Sequence, residues 1–296
     1  PARSEMCIRD SPKISRAVAS HDLRVARNDL SRALRHVSLI TCFFAVVFIV
    51  IPMPISLALI PSISLQEADL MAAPLMMLAF GLPLTSSYLI IQRTFFAFED
   101  GKRPFIFAFA QLATELIAFV SCVKFLPATY WVTALGACVS MSFFLTFPSL
   151  VRMLRHRFHN DLDDRRLIVS HAKIVAASLI AIIVGLIVRD PLVKVLCLND
   201  PATHGVARWL HAVIVCAIVT IVAAVAYIVI LVLLKTSELV DLSAPLVRKI
   251  AQKIPALTPL SEHLSQISDL AQHDEQHSDA ESRAPRKVRS HSSISE

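Results

Sequence analysis

Four runs of more than twenty residues, 37–66, 71–92, 125–151 and 209–234, contain no Asp, Glu, Lys or Arg. A bilayer core about 30 Å thick is crossed by roughly 20 mostly apolar residues in a helix, so each run is long enough to span. Two further segments come close: 104–126 is apolar apart from Glu115 and Lys124, and 167–188 apart from His171 and Lys173. The expected fold is therefore all-α, a polytopic membrane protein with six transmembrane helices.

The cations fall on alternate sides of these spans. Lys and Arg number 8 before the first span and 8 after the sixth, with 3 in the second connection and 6 from the fourth connection to Lys173. The first, third and fifth connections hold only 0, 1 and 3, so 25 of 29 lie on one side. By the positive-inside rule that side is cytoplasmic and both termini lie there. The net charge of +6 then needs no nucleic acid, because basic loops beside anionic lipid explain it. Composition agrees: 18% charged residues is well below the roughly 25% of soluble domains. Residues 1–36 are basic and polar, without the short apolar core of a secretory signal.

Four parts are expected along the chain. Residues 1–36 form a cytoplasmic segment in which an amphipathic helix over 12–35, opened by Ser11 and Pro12, lies along the membrane or against the bundle. The six-helix bundle covers 37–234. Pro52, Pro54 and Pro61 crowd the outer half of its first span, so that helix should kink or end near Met53. Residues 235–260 read as a basic amphipathic segment on the membrane surface, and 261–296 as a disordered cytoplasmic tail. With only five glycines in 296 residues, close helix contacts are expected to use Ala and Ser, as at Ala134, Ala137 and Ser140, or Ala177, Ser178 and Ala181.

Few residues carry chemistry. A carboxylate at the bilayer centre costs about 2.5–3.5 kcal/mol, so Glu115, eleven residues after Pro104, marks either a wet cavity or a hydrogen-bonded helix joint. Gln111 shares its face one turn earlier, with Thr114 beside it. Between the second and third spans, Glu99 and Asp100 adjoin Lys102, Arg103 and Pro104, with Arg93 nearly two turns back. That group reads as a charged turn pinning two helix ends; its alternative is a diphosphate contact through Arg93. His156 and His159 have a ligand-like spacing but polar and basic neighbours, so they read as solvated, and no metal site is expected. Cys42, Cys122, Cys138 and Cys216 lie in spans, where most read as small apolar packers, and no disulfide framework is expected from the arrangement. No nucleotide-binding or hydrolase signature occurs, so neither an enzyme nor a cofactor is expected.

Two segments resemble one family. Pro12-Lys-Ile-Ser15-Arg16-Ala17, followed by Asp22, Arg27, Asp29, Leu30, Leu34 and Arg35, resembles the P-x-[LI]-S-R-x-x-A-x-x-D…R-x-D-L…L-R segment of MurJ/MviN lipid II flippases. Gly81-Leu82-Pro83, with the run from Arg93 to Pro104, is similar to that family's G-L-P…R-x-F-Y-A-x-x-D-T-R-T-P. The resemblance implies that the six spans are helices nine to fourteen of a fourteen-helix carrier: the later helices of one lobe plus two extra helices forming an apolar groove for a polyprenyl tail. Residues 174–188 and 213–234 would line that groove. It implies a bacterial cytoplasmic membrane location, undecaprenyl-linked cell-wall precursor as cargo, and partners among membrane lipid, an N-terminal lobe and cell-wall synthesis proteins. The family's first-lobe cations have no positions here, and residues 1–11 do not resemble the end of an apolar helix. The chain is accordingly expected to be a C-terminal, truncated or frameshifted piece. Two other functions fit the residues: a non-transporting membrane scaffold presenting the basic tail, and an exporter of other lipid-linked oligosaccharides or drugs.

Overall fold

The computed structural model describes residues 23–158, 164–198, 200, 205–234 and 236. Those residues fold into seven α-helices: α1 (Leu23–Val50), α2 (Pro52–Leu59), α3 (Leu65–Ala97), α4 (Lys102–Phe125), α5 (Trp131–Arg157), α6 (Asp164–Val195) and α7 (Gly205–Leu233), with one 3-10 turn at Ala128–Tyr130. All but α2 are long and apolar enough to cross a membrane. The first half of the expected surface helix, the expected surface segment beyond Thr236, the tail 261–296 and His159 lie outside the described residues.

Packing sets the helices in a row, α4 beside α5, then α3, α1, α6 and α7, with α2 bridging α3 and α7. Two signals open α3. Ser64 accepts a hydrogen bond from the Glu67 amide at 3.2 Å, and the Glu67 carboxylate accepts from the Ser64 amide at 2.9 Å, a reciprocal cap that satisfies two otherwise orphaned donors. At 33 residues α3 is about 50 Å long, more than the hydrocarbon thickness, so it tilts or protrudes. Just past its Pro83, the hydroxyls of Thr85, Ser86 and Ser87 donate to the carbonyls of Gly81, Leu82 and Pro83. Such back-bonding lets polar side chains sit in an apolar medium without orphaned donors.

The first span differs from its expected limits in two ways. It starts earlier, because α1 runs unbroken through the polar stretch before residue 37: Ala26, Leu30 and Leu34 recur every four residues and join a buried core shared with residues of α3, α4 and α5. It also ends earlier, at Val50. Ile51 leaves helical geometry at φ −126° and ψ 47°, and α2 restarts with Pro52 in its first turn. The expected break near Met53 thus falls two residues sooner. The fourth span shifts as well, since Pro127 and the 3-10 turn delay α5 to Trp131, while buried Leu150 and Leu154 carry it on to Arg157.

Close crossings use glycine as well as alanine and serine, contrary to the expectation from scarcity. A Cβ on Gly81 would lie 2.7 Å from Ser140 Oγ, one on Gly136 3.0 Å from the Pro74 carbonyl oxygen, and one on Gly185 2.9 Å from Val50 Cγ1. Three of the five glycines therefore sit where two helices approach most closely. Ala134, Ser140, Ala177 and Ala181 are buried as expected. Buried polar groups tie the rest of the row. His171 Nδ1–H donates to the Leu167 carbonyl at 2.7 Å, which leaves Nε2 to accept from Ser38 at 2.9 Å, joining α6 to α1. The Tyr227 hydroxyl donates to the Leu39 carbonyl at 2.9 Å and joins α7 to α1.

Candidate functional site

The connection between α3 and α4 is built as a tight charged turn. Glu99 adopts a left-handed φ of 56°, and the Asp100 amide donates back to the Phe95 carbonyl at 3.0 Å. That places the Asp100 carboxylate over the start of α4, where Oδ1 accepts from the Arg103 amide at 3.3 Å and Oδ2 meets Arg103 Nε at 3.3 Å. A carboxylate there complements the partial positive charge of the helix end. Pro104 is buried in the first turn, where its missing N–H has no partner to lose. Arg103 Nη1 is enclosed without an acceptor, whereas Lys102 is exposed.

Aromatic rings hold this turn on the bundle. Phe98 meets Phe158 edge-on at 5.6 Å between centroids, and the Arg157 guanidinium lies 4.8 Å over the Phe98 ring. Deeper in, the tilted rings of Tyr88 and Phe107 lie 4.8 Å apart between centroids, in the same core as fully buried Phe95. This is the core on which α1, α3, α4 and α5 converge.

The residues singled out in the sequence do not form one cluster. Arg93 is exposed, about 6 Å along the axis from the end of α3. Gln111 and Glu115 lie nine and thirteen residues into α4, about 14 and 20 Å from its start. Both are half-buried and share the helix stripe of Phe107, Ala118 and Cys122. That stripe faces α5, because Glu115 is within electrostatic reach of Cys138 and Cys122 touches the same residue. Thr114 donates to the Ala110 carbonyl at 2.8 Å. The opposite face of α4, with Phe105, Phe109, Leu112 and Ile117, is exposed. Among the described residues no group of three His, Cys, Asp or Glu is placed to hold a metal ion.

Sequence reasoning missed a second polar region, at the other end of the spans. A hollow of about 330 Å³ is lined by Pro52, Met53, Pro54, Asp69, Arg189, Asp190, Val193 and Lys194. Arg189 organises it, donating through Nη1 to the Val50 carbonyl at 3.0 Å and through Nη2 to Asp190 at 2.7 Å. Proline at 54 was the available signal: the residue four positions after Val50 has no N–H to give, so that carbonyl needs another donor.

A solved structure described as "Lipid II flippase MurJ, inward closed conformation" matches with a TM-score of 0.54 at 17% identity, over 75% of this chain. At that identity the likeness speaks for the fold, and the chain spans 41% of the solved flippase. No curated protein matches the chain. The sequence model of the family "Lipid II flippase MurJ" matches residues 11–191, more than half of the chain. On that match, this integral membrane protein belongs to the MurJ lipid II flippase family.

Proposed function

We propose that this chain supplies helices nine to fourteen of a lipid II flippase, which moves undecaprenyl-linked peptidoglycan precursor from the inner to the outer leaflet of the bacterial cytoplasmic membrane. The observation that carries the reading is a family match over residues 11–191 laid on six membrane-length helices. No bond is made or broken. Two lobes rock about a central cavity that takes up the head group while the prenyl tail stays in lipid. The present helices form one wall of that cavity and, through the exposed aliphatic faces of α6 and α7, the tail groove. Ile183, Ile187, Ile221, Val225 and Ile228 provide that apolar surface.

Within this reading the arginine-rich side is cytoplasmic, and the turn at Asp100, Lys102, Arg103 and Pro104 sits at the cavity mouth. Arg93 meets the precursor diphosphate there, as a planar fork matched to phosphate oxygens. Gln111 and Glu115 stand deeper, as polar groups that the moving head group passes. Reporter fusions at Gln66 and Arg155 should then report opposite compartments; one shared compartment overturns the orientation.

Transport is tested by depleting the resident flippase and measuring leaflet accessibility of the lipid-linked precursor. Co-expression of this chain with a family N-terminal lobe restores flipping and growth, whereas the chain alone does not. Failure of the pair to rescue, with both parts inserted, sinks the flippase reading. In the rescuing pair, Arg93→Ala should slow flipping about tenfold, the loss of one charge-assisted contact of about 1.4 kcal/mol. Glu115→Gln should reduce it as well. Unchanged flipping in Glu115→Gln removes that residue from the cavity.

A further inference from the structure

Cys122 near the end of α4 and Cys138 early in α5 bring their sulfurs to 3.7 Å, one thiol hydrogen-bonded to the other. Cys138 is buried and Cys122 half-buried, so the pair has one reachable sulfur and one sheltered behind it. Three residues separate Cys122 from the end of α4, and seven separate Cys138 from the start of α5. The sulfurs thus lie about 5–10 Å inside the helix ends opposite the arginine-rich side. The 3-10 turn Ala128–Tyr130 joins the two helices directly.

We propose that Cys122 and Cys138 form a reversible disulfide that fixes α4 onto α5. The lock has a mechanical meaning because α4 is the edge helix of the row: it packs on α5, touches α3 only slightly and exposes its other face. With the pair reduced, side-chain packing and the weak thiol hydrogen bond hold α4 on α5. With it oxidised, a covalent tie close to the turn holds the register of Gln111 and Glu115 against α5. The reaction is thiol–disulfide exchange with an extracytoplasmic dithiol oxidase. The Cys122 thiolate, having given its proton to water, attacks one sulfur of the oxidase disulfide and releases the other as a thiolate. Cys138, losing its proton in turn, attacks Cys122 in that mixed disulfide and frees the second oxidase thiolate. One S–S bond forms here and one breaks there. Two electrons pass to the oxidase, and its two thiolates take up two protons. The oxidant, and with it oxidation of the pair in cells, rests on the orientation proposed above; the pairing of the two sulfurs, read in nanodiscs, does not.

The test uses the full chain in lipid nanodiscs, oxidised with diamide and then alkylated with maleimide. Oxidation should remove two alkylatable thiols, yield a linked peptide containing Cys122 and Cys138, and slow amide exchange across 102–125 several-fold. A phosphine reductant should reverse all three, and Cys122→Ser should give no linked peptide. Absence of that peptide in the native chain overturns the pairing, and unchanged exchange overturns the lock. In cells quenched with acid and alkylated, the linked peptide should appear and should vanish in a strain without the oxidase; a fully reduced pair in wild-type cells also overturns the proposal. These readouts are mass and exchange, so failure to transport precursor leaves them standing and failure of the pair leaves transport standing.

Discussion

Gly81→Leu should lower the stability of the bundle by about 1–3 kcal/mol, the range for overpacking a filled contact. The first added carbon already meets Ser140 Oγ at 2.7 Å and its Cα at 3.0 Å, and the Cα cannot turn away. Relief requires α3 and α5 to separate. Separation also breaks the 2.6 Å hydrogen bond from the Ser140 hydroxyl to the Met77 carbonyl, the polar tie at that crossing. Gly136→Ala, one turn along on α5, should fall at the lower end, because its single methyl meets the Pro74 carbonyl oxygen at 3.0 Å. Gly101→Ala should change stability by no more than about 0.5 kcal/mol. No atom lies within 4 Å of a Cβ there, and its φ of −78° suits any residue. The three variants are compared by thermal unfolding in one detergent. Equal midpoints for Gly81→Leu and Gly101→Ala would mean that α3 and α5 do not cross at Gly81.

The number of spans was legible because charge is so costly in lipid that its absence marks four helices outright, and its scarcity, Glu115 and Lys124 in one segment and Lys173 in another, marks the remaining two. Helix ends were less so. The break at Ile51 was foreseen to within two residues from its prolines, a local cause. A helix through Arg27, Arg32 and Arg35 was legible, but the choice between membrane surface and bundle was not, because the core that Leu30 and Leu34 join is completed by residues of α3, α4 and α5, far away in sequence. The depth of Glu115 could be counted from Pro104. Its partner could not: Gln111 and Glu115 mark one face of α4, but nothing in the sequence says that this face meets α5. The Cys122–Cys138 contact did leave a trace, since the two residues lie eight positions either side of Tyr130 in the turn. Antiparallel helices around a short turn bring such positions level, but only once the turn is known to be short. For the family resemblance, the two motifs carried information that the apolar runs lack, because their polar residues have specific partners and aliphatic ones are interchangeable.

Arg189→Met should destabilise the chain by about 1.5–3 kcal/mol, the worth of a hydrogen bond to a charged group together with the carbonyl it leaves orphaned. The carbonyl in question belongs to Val50, which is fully buried at the end of α1. In an unbroken helix it would accept from residue 54, but Pro54 has no N–H, and the guanidinium reaches across from α6 at 3.0 Å to replace it. Arg189→Lys should not restore the native value, since a single ammonium cannot hold the carbonyl and Asp190 in the fixed fork geometry that Arg189 uses. The cause can be isolated by changing the proline instead. Pro54→Ala returns an N–H at the position the helix would use, so Arg189→Met should cost less in that background than in the native chain. A cost that is the same in both backgrounds would show that Arg189 acts only through Asp190. The break between α1 and α2 would then be held by the 2.9 Å bond from Trp209 to the Ala58 carbonyl and by the packing of α2 between α3 and α7.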